Sequence, residues 1–337
     1  MNQFVTLRDT VLILLYALTS ILSLIGNAFV FRISLRRHNH TWFQSTTNFP
    51  FTTSCIFLLN LAIADTLLGL TIPVEFVFCS KYFVQNITAS SYVCAGNKSM
   101  QILAYNVSTL TICLIAYDRY RLIQNPLEKY YPKKPFPVIL LTWFFSGLFA
   151  ATCFVSTKVN IYFNSYEKLI CSQIIYPLRT KYFFNDTIYK IRSLCLILLF
   201  YIIPLLIITS LCLLTIRIIS RRTVIGVKEF QTFKQSRTRS ISLLMITIIV
   251  FTLSHSPIHF IYLRDIFHSS SKVSLGRSIQ ITKCQDSTMY LLFYWLSISG
   301  CCYNSIIYSW FNRKYQNLVY RCCRLIVCCE RCNNCSN

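Results

Sequence analysis

The stretch LIAYDRYRLIQNPL, residues 114–127, ends a long apolar run with an acid and a base side by side, Asp118 and Arg119, and then Tyr120. Charge is costly inside lipid, so a paired acid and base at the lip of an apolar segment marks a membrane helix meeting water. The rest of the chain is built of such segments. No charge interrupts residues 10–31, 99–117, 135–157, 193–216, 240–263 or 287–312, and a seventh run, 41–74, is broken only by Asp65. A bilayer core takes about 20 helical residues, and all seven runs are long enough. Of the 337 residues 54% are apolar and 13% charged, against about 25% charged in a soluble domain. The expectation is an all-α membrane protein, a bundle of seven transmembrane helices.

No internal repeat or separate soluble domain is visible. Residues 1–311 read as the seven-helix domain, and 312–337 as a short amphipathic eighth helix and a cysteine-rich tail. The opening MNQFVTLRDT has no basic leader, so the first helix is expected to act as its own anchor. Twenty of the 33 Lys and Arg residues, from Arg32 and Arg119 to Arg217, Lys228 and Arg331, fall on one side. The positive-inside rule puts that side in the cytoplasm, with the N-terminus outside and the C-terminus inside a multi-pass plasma-membrane protein. The net charge of +22 then reflects topology and attraction to anionic lipid, and scattered charges on short loops argue against nucleic acid. The sequons at Asn86, Asn97 and Asn185 fall outside and are expected to be glycosylated. Those at Asn39, inside, and Asn106, within the third helix, are expected to stay bare.

Polar residues inside the runs form a pattern: Asn27 in GNAFV, Asn60 and Asp65 in LNLAIADTLLGL, Trp143, Pro204, Phe251 with Pro257, and NSIIY at 304–308. In this order, each on its own helix, they resemble the rhodopsin-like family of G-protein-coupled receptors from Leu12 to about Cys329. FLLNLAIAD, LIAYDRY, FYWL with Trp295, and WFNRKY make the chain similar to the small-amine receptors of that family, the histamine type among them.

That resemblance implies roles. Asp118 would hold Arg119 while the receptor is idle; released, a guanidinium that is never neutral meets a heterotrimeric G protein, with Tyr120 and Tyr308 completing the switch. The acid that often restrains this arginine from the sixth helix is here Arg237, and the fifth-helix tyrosine is Cys212, so a loosely held resting state with basal signalling is expected. Asp65, Ser108 and Asn304 match the family's sodium pocket, the one cofactor implied; the alternative is an acid with a packing role only. Ser305 replaces the proline after Asn304, so the seventh helix is expected to be less kinked. Cys94 and Cys171 match the family's disulfide. In the tail, Cys322, Cys323, Cys328 and Cys329 lie on a basic, partly apolar segment that suits palmitoylation along the inner leaflet.

The ligand is less legible. Where amine receptors carry an aspartate on the third helix this chain has Gln101, which gives an ammonium no charge. Glu75, high on the second helix, is the best substitute acid, with Asp265 and Asp286 nearer the rim. Tyr105, Tyr262, Tyr294 and Trp295 join His255 and His259 as pocket residues. The two histidines share a helix face and admit three readings: a polar lining, a pH- or anion-sensitive pocket, or zinc, for which two ligands are too few. An extracellular small molecule, amine-like, is one expectation; a small acid or a peptide is another. A receptor fold that has lost signalling is the rival, on the strength of Ser305, Cys212 and His255. A transporter would want charges deep in several helices, and no acid–base or nucleophile pair converges, so an enzyme is not expected.

Overall fold

The computed structural model describes residues 7–43, 51–79, 91–124, 135–164, 166–173, 182–221, 228–268 and 288–311. Helices α1 (Leu7–Phe43), α2 (Phe51–Cys79), α3 (Ser91–Gln124) and α4 (Pro135–Ser156) give the first four spans. An antiparallel hairpin follows, β1 (Thr157–Asn164) against β2 (Tyr166–Gln173), with Val159 opposite Cys171. The fifth span is α5 (Tyr182–Ile197), a π-helical turn at Leu198–Ile202, and α6 (Ile203–Arg221); the sixth is α7 (Lys228–His268). The seventh is split into α8 (Thr288–Ile298) and α9 (Gly300–Phe311). Each span contains a stretch long and apolar enough to cross a bilayer, seven in all among the described residues.

The exposed faces are apolar. On α1, Leu14, Leu18, Ile21 and Ile25 point outward, and on α4 Leu141, Phe144, Phe145 and Leu148 do the same. Polar Ser23, Asn27, Asn60 and Asp65 are buried instead. That inversion is what a lipid solvent requires, because polar groups there must find partners inside the bundle. Two apolar layers fill the interior. One joins Leu12, Ile72, Ala104, Ile258 and Leu291; the other joins Phe57, Leu61, Ile112, Ile208 and Leu244 near Asp118. We refer to the two ends of the bundle as the hairpin end and the Arg119 end.

Prolines shape the spans, and side chains repair what they break. Proline has no N–H, so the carbonyl four residues earlier loses its helical donor. Pro73 lies inside α2, and Ser20 Oγ of α1 donates to the Gly69 carbonyl at 2.9 Å. Pro204 follows the π-helical turn, and Tyr105 Oη of α3 donates to the Phe200 carbonyl at 3.3 Å.

The seven-helix fold class stands; the structure adds to it the hairpin, which lies between the fourth and fifth spans and packs on α3. Residues 38–43, HNHTWF, continue α1, where no Gly or Pro stops the helix. Helix α7 already begins at Lys228; charge marks the edge of lipid rather than the end of a helix. The seventh span is interrupted at Ser299, beside Gly300, the Ser/Gly pairing at which helices can kink without proline. The eighth helix and the tail cysteines lie outside the described residues.

Candidate functional site

The pocket residues lie on α3, α7 and α8, toward the hairpin end. Gln101 and Tyr105, one turn apart, share a face of α3. Tyr294 Oη donates to Gln101 Oε1 at 2.7 Å, and Lys98 Nζ stands 5.1 Å from the centre of the Tyr294 ring. The Tyr105 ring meets His255 at 4.9 Å between centres, and Tyr201 meets His259 at 4.4 Å. Tyr262 is 6.3 Å from His259 by the same measure. Trp295 departs from its expected role: its indole N–H is given to Thr19 Oγ1 of α1 at 2.8 Å, with Leu15 O at 3.3 Å, so it ties α8 to α1. Glu75 lies on α2 and its side chain is outside those described.

Two polar atoms in this pocket are buried without a partner, Gln101 Nε2 and His259 Nδ1. Their residues are only 7% and 9% exposed, so leaving them unmatched costs stability. Their kinds differ. The Tyr105 hydroxyl donates to Phe200 O at 3.3 Å and lies 3.5 Å from His259 Nε2. His259 thus presents an unmatched ring nitrogen at Nδ1, and Gln101 presents an unmatched donor. The two histidine rings are 6.3 Å apart. No cluster of three or more His, Cys, Asp or Glu suited to a metal exists among the described residues, so the zinc reading gains no third ligand.

Deeper in, Asp65 is 1% exposed and central. Ser108 Oγ donates to its Oδ1 at 2.7 Å and Asn304 Nδ2 to its Oδ2 at 2.8 Å, so the three residues grouped from sequence do meet. Ser23 Oγ adds a bond to the Asp65 carbonyl at 3.0 Å. Around them is a cavity of about 30 Å³ that also touches Tyr105, Ser254, His255 and Ser297. That is room for a water or a small ion. One carboxylate, several hydroxyls and an amide oxygen are the hard donors such a cation takes, so the residues fit sodium.

At the Arg119 end, Asp118 is buried and accepts a hydrogen bond from Ser54 Oγ of α2. Arg119, its neighbour in the helix, also attracts the Asp118 carboxylate. Ser54 was missed from sequence, since nothing along the chain links it to a residue 64 positions later. Tyr120 is half-buried beside Arg119, and Tyr308 packs against the apolar layer that contains Ile112 and Leu244.

The modification sites divide. Asn97 lies within α3 and is buried, at 9% exposure; an acceptor asparagine must reach solvent, so the glycan expected there is corrected. Asn185 sits in the first turn of α5, its side chain outside those described, as are the side chains of Cys94, Cys171 and Arg237. Asn86 is outside the described residues altogether.

Residues 42–308 match the family model described as 7 transmembrane receptor (rhodopsin family). The chain is similar to the Tachykinin-like peptides receptor 86C of Drosophila melanogaster, 24% identical over 329 residues, 96% of this chain and 59% of that protein. The RYamide receptor of Tribolium castaneum is 26% identical, with 95% and 82% covered. The human Neuropeptide Y receptor type 2 is 25% identical, with 93% and 77% covered. These relatives are named for peptides, and the likeness to small-amine receptors drawn from sequence motifs finds no support in them. This chain spans just over half the length of the first.

Proposed function

This chain belongs to the rhodopsin family of seven-transmembrane receptors, a receptor family rather than an enzyme family, and on that premise we propose that it carries a peptide signal to a heterotrimeric G protein. The peptide would enter at the hairpin end and the G protein would meet Arg119, Tyr120 and Tyr308 at the other. One observation carries the ligand reading: a buried donor, Gln101 Nε2, and a buried ring nitrogen, His259 Nδ1, both unmatched. A peptide offers both a carbonyl and an N–H at every residue, so it can serve the pair. Stacked Tyr290 and Tyr294, 6.0 Å apart, with Tyr105 and Tyr262 nearby, suit aromatic side chains. An amine would have to find its charge partner at Glu75.

The rest of the proposal follows from the family. Sodium, held by Asp65, Ser108 and the Asn304 amide oxygen, would supply a positive charge that stabilises the resting arrangement of these residues. The N-terminus would face outside, with glycans on Asn86 and Asn185 and a Cys94–Cys171 disulfide. Palmitate on Cys322, Cys323, Cys328 and Cys329 would hold the tail to lipid.

The test is G-protein activation in cells displaying the full chain, with Arg119→Ala as background. Three panels are applied: peptides of the kinds these relatives are named for, biogenic amines, and small acids. A peptide response lost in Gln101→Leu supports the proposal. A response to amines alone, lost in Glu75→Gln, overturns the peptide reading. Silence to all, with basal activity equal to Arg119→Ala, favours a receptor fold without signalling.

A further inference from the structure

The hairpin end of the chain is basic. The stretches before and between the spans there, residues 1–9, 75–98, 157–192 and 264–286, hold thirteen Lys and Arg against six Asp and Glu. Such an excess around a pocket mouth gathers ligands of the opposite sign. Steering alone names no seat, but the pocket does.

Lys98 and Gln101 stand three residues apart on α3 and so share a face, and one ring of α8 joins them. Tyr294 Oη donates to Gln101 Oε1 at 2.7 Å, and Lys98 Nζ lies 5.1 Å from the centre of the same ring. With Oε1 engaged, the amide has its Nε2 donor left to offer, and that atom is buried and unmatched. Lys98 brings N–H donors, a full charge and no acceptor. An ammonium ligand would be repelled by Lys98 and would find no acceptor at Gln101 Nε2. A neutral amide would serve Gln101 alone. A carboxylate has two acceptor oxygens and the opposite charge, and charge-assisted bonds are the stronger kind. Tyr290, stacked 6.0 Å from Tyr294, extends the aromatic surface beside it.

We propose that Lys98 and Gln101 form a seat for a carboxylate of the peptide, held against the Tyr294 ring. The seat deepens the peptide reading above and rests on it for the source of the carboxylate; a free acid has the same chemistry.

Binding is read from the melting temperature of the full chain in detergent micelles. The probes are N-acetyl-phenylalanine, its amide N-acetyl-phenylalaninamide, and 3-phenylpropanoate, which keeps the acid without a peptide unit. N-acetyl-phenylalanine should bind about five- to ten-fold more tightly than its amide, the gain of a charged hydrogen bond over a neutral one. Lys98→Gln should erase that ratio and Lys98→Arg should keep it. Arg264→Gln, at an exposed cation of the same end, should leave it unchanged. Gln101→Leu should weaken acid and amide alike, since it removes a donor that serves both. Lys98 is half-buried, and the ligand-free melting temperature of each variant shows that it folds. Equal affinities for acid and amide overturn the seat, and so does a preference that survives Lys98→Gln or a failure of all three probes to bind. Weaker binding of 3-phenylpropanoate than of N-acetyl-phenylalanine supports a peptide source. Equal binding of the two, with the ratio lost in Lys98→Gln, supports the seat and overturns the peptide source. A peptide response in the cell assay above, with no preference for the acid, overturns the seat alone and leaves the peptide reading in place.

Discussion

Ser20 matters to this protein because of a proline on another helix. Its buried hydroxyl supplies the Gly69 carbonyl with the donor that Pro73 withholds. Ser20→Ala should cost about 1–3 kcal/mol in thermal unfolding. In a Pro73→Ala background the restored N–H makes the hydroxyl redundant, and the same change should cost clearly less; equal costs in both backgrounds would refute the link. Tyr105→Phe should likewise destabilise by about 1–3 kcal/mol by orphaning Phe200 O. Asp65 carries the sodium proposal. Raising sodium chloride against a potassium control should lower basal signalling in wild type and leave Asp65→Asn indifferent. A sodium effect that persists in Asp65→Asn would move the ion elsewhere.

At the scale of elements, two glycines let α1 close on its neighbours. A Cβ at Gly26 would overlap Ser305 Oγ and lie 2.9 Å from Ser305 Cβ, and one at Gly69 would lie 2.6 Å from Ser23 Oγ. Close approach through small residues is how helices bind each other in lipid, where apolar attraction between them is weak. Gly26→Leu should therefore prevent surface expression, whereas Gly147→Ala, with nothing within 4 Å of its new methyl, should leave expression and melting unchanged. Flow cytometry of a tagged chain checks both. The seven spans were legible because charge is excluded from lipid and the runs between charges have a fixed length. The ends were not. Arg36, Arg37 and Lys228 lie within helices, since charge ends the lipid-facing stretch without ending the hydrogen-bond ladder. The hairpin was hidden for a different reason: strand pairing joins Thr157 to Gln173 across residues with no clear alternation. The interruption at Ser299 was not foreseen, because the reading followed a missing proline and passed over Ser299–Gly300.

For the whole molecule, the Asp65–Ser108–Asn304 meeting was legible through resemblance alone, and geometry then brought the three within hydrogen-bond distance. The Ser54 contact was not, because a serine in an apolar run announces no partner. Surface chemistry offers a test of orientation: Asn86→Gln and Asn185→Gln should each remove a glycosidase-sensitive mobility shift, and Asn97→Gln should remove none. A shift lost in Asn97→Gln would mean that this end of α3 opens in the cell. The bundle also has a seam. Tyr16 Oη donates to Leu291 O at 2.9 Å, Asn27 Nδ2 to Cys301 O at 3.1 Å, and Trp295 Nε1 to Thr19 Oγ1 at 2.8 Å, all between residues about 275 positions apart. The first span to be synthesised therefore waits for the last. Until the ribosome releases residue 301, Tyr16 and Asn27 stand in lipid without these partners, and a chain stopped early keeps that defect. The cell's quality control has a mark by which to know an unfinished copy.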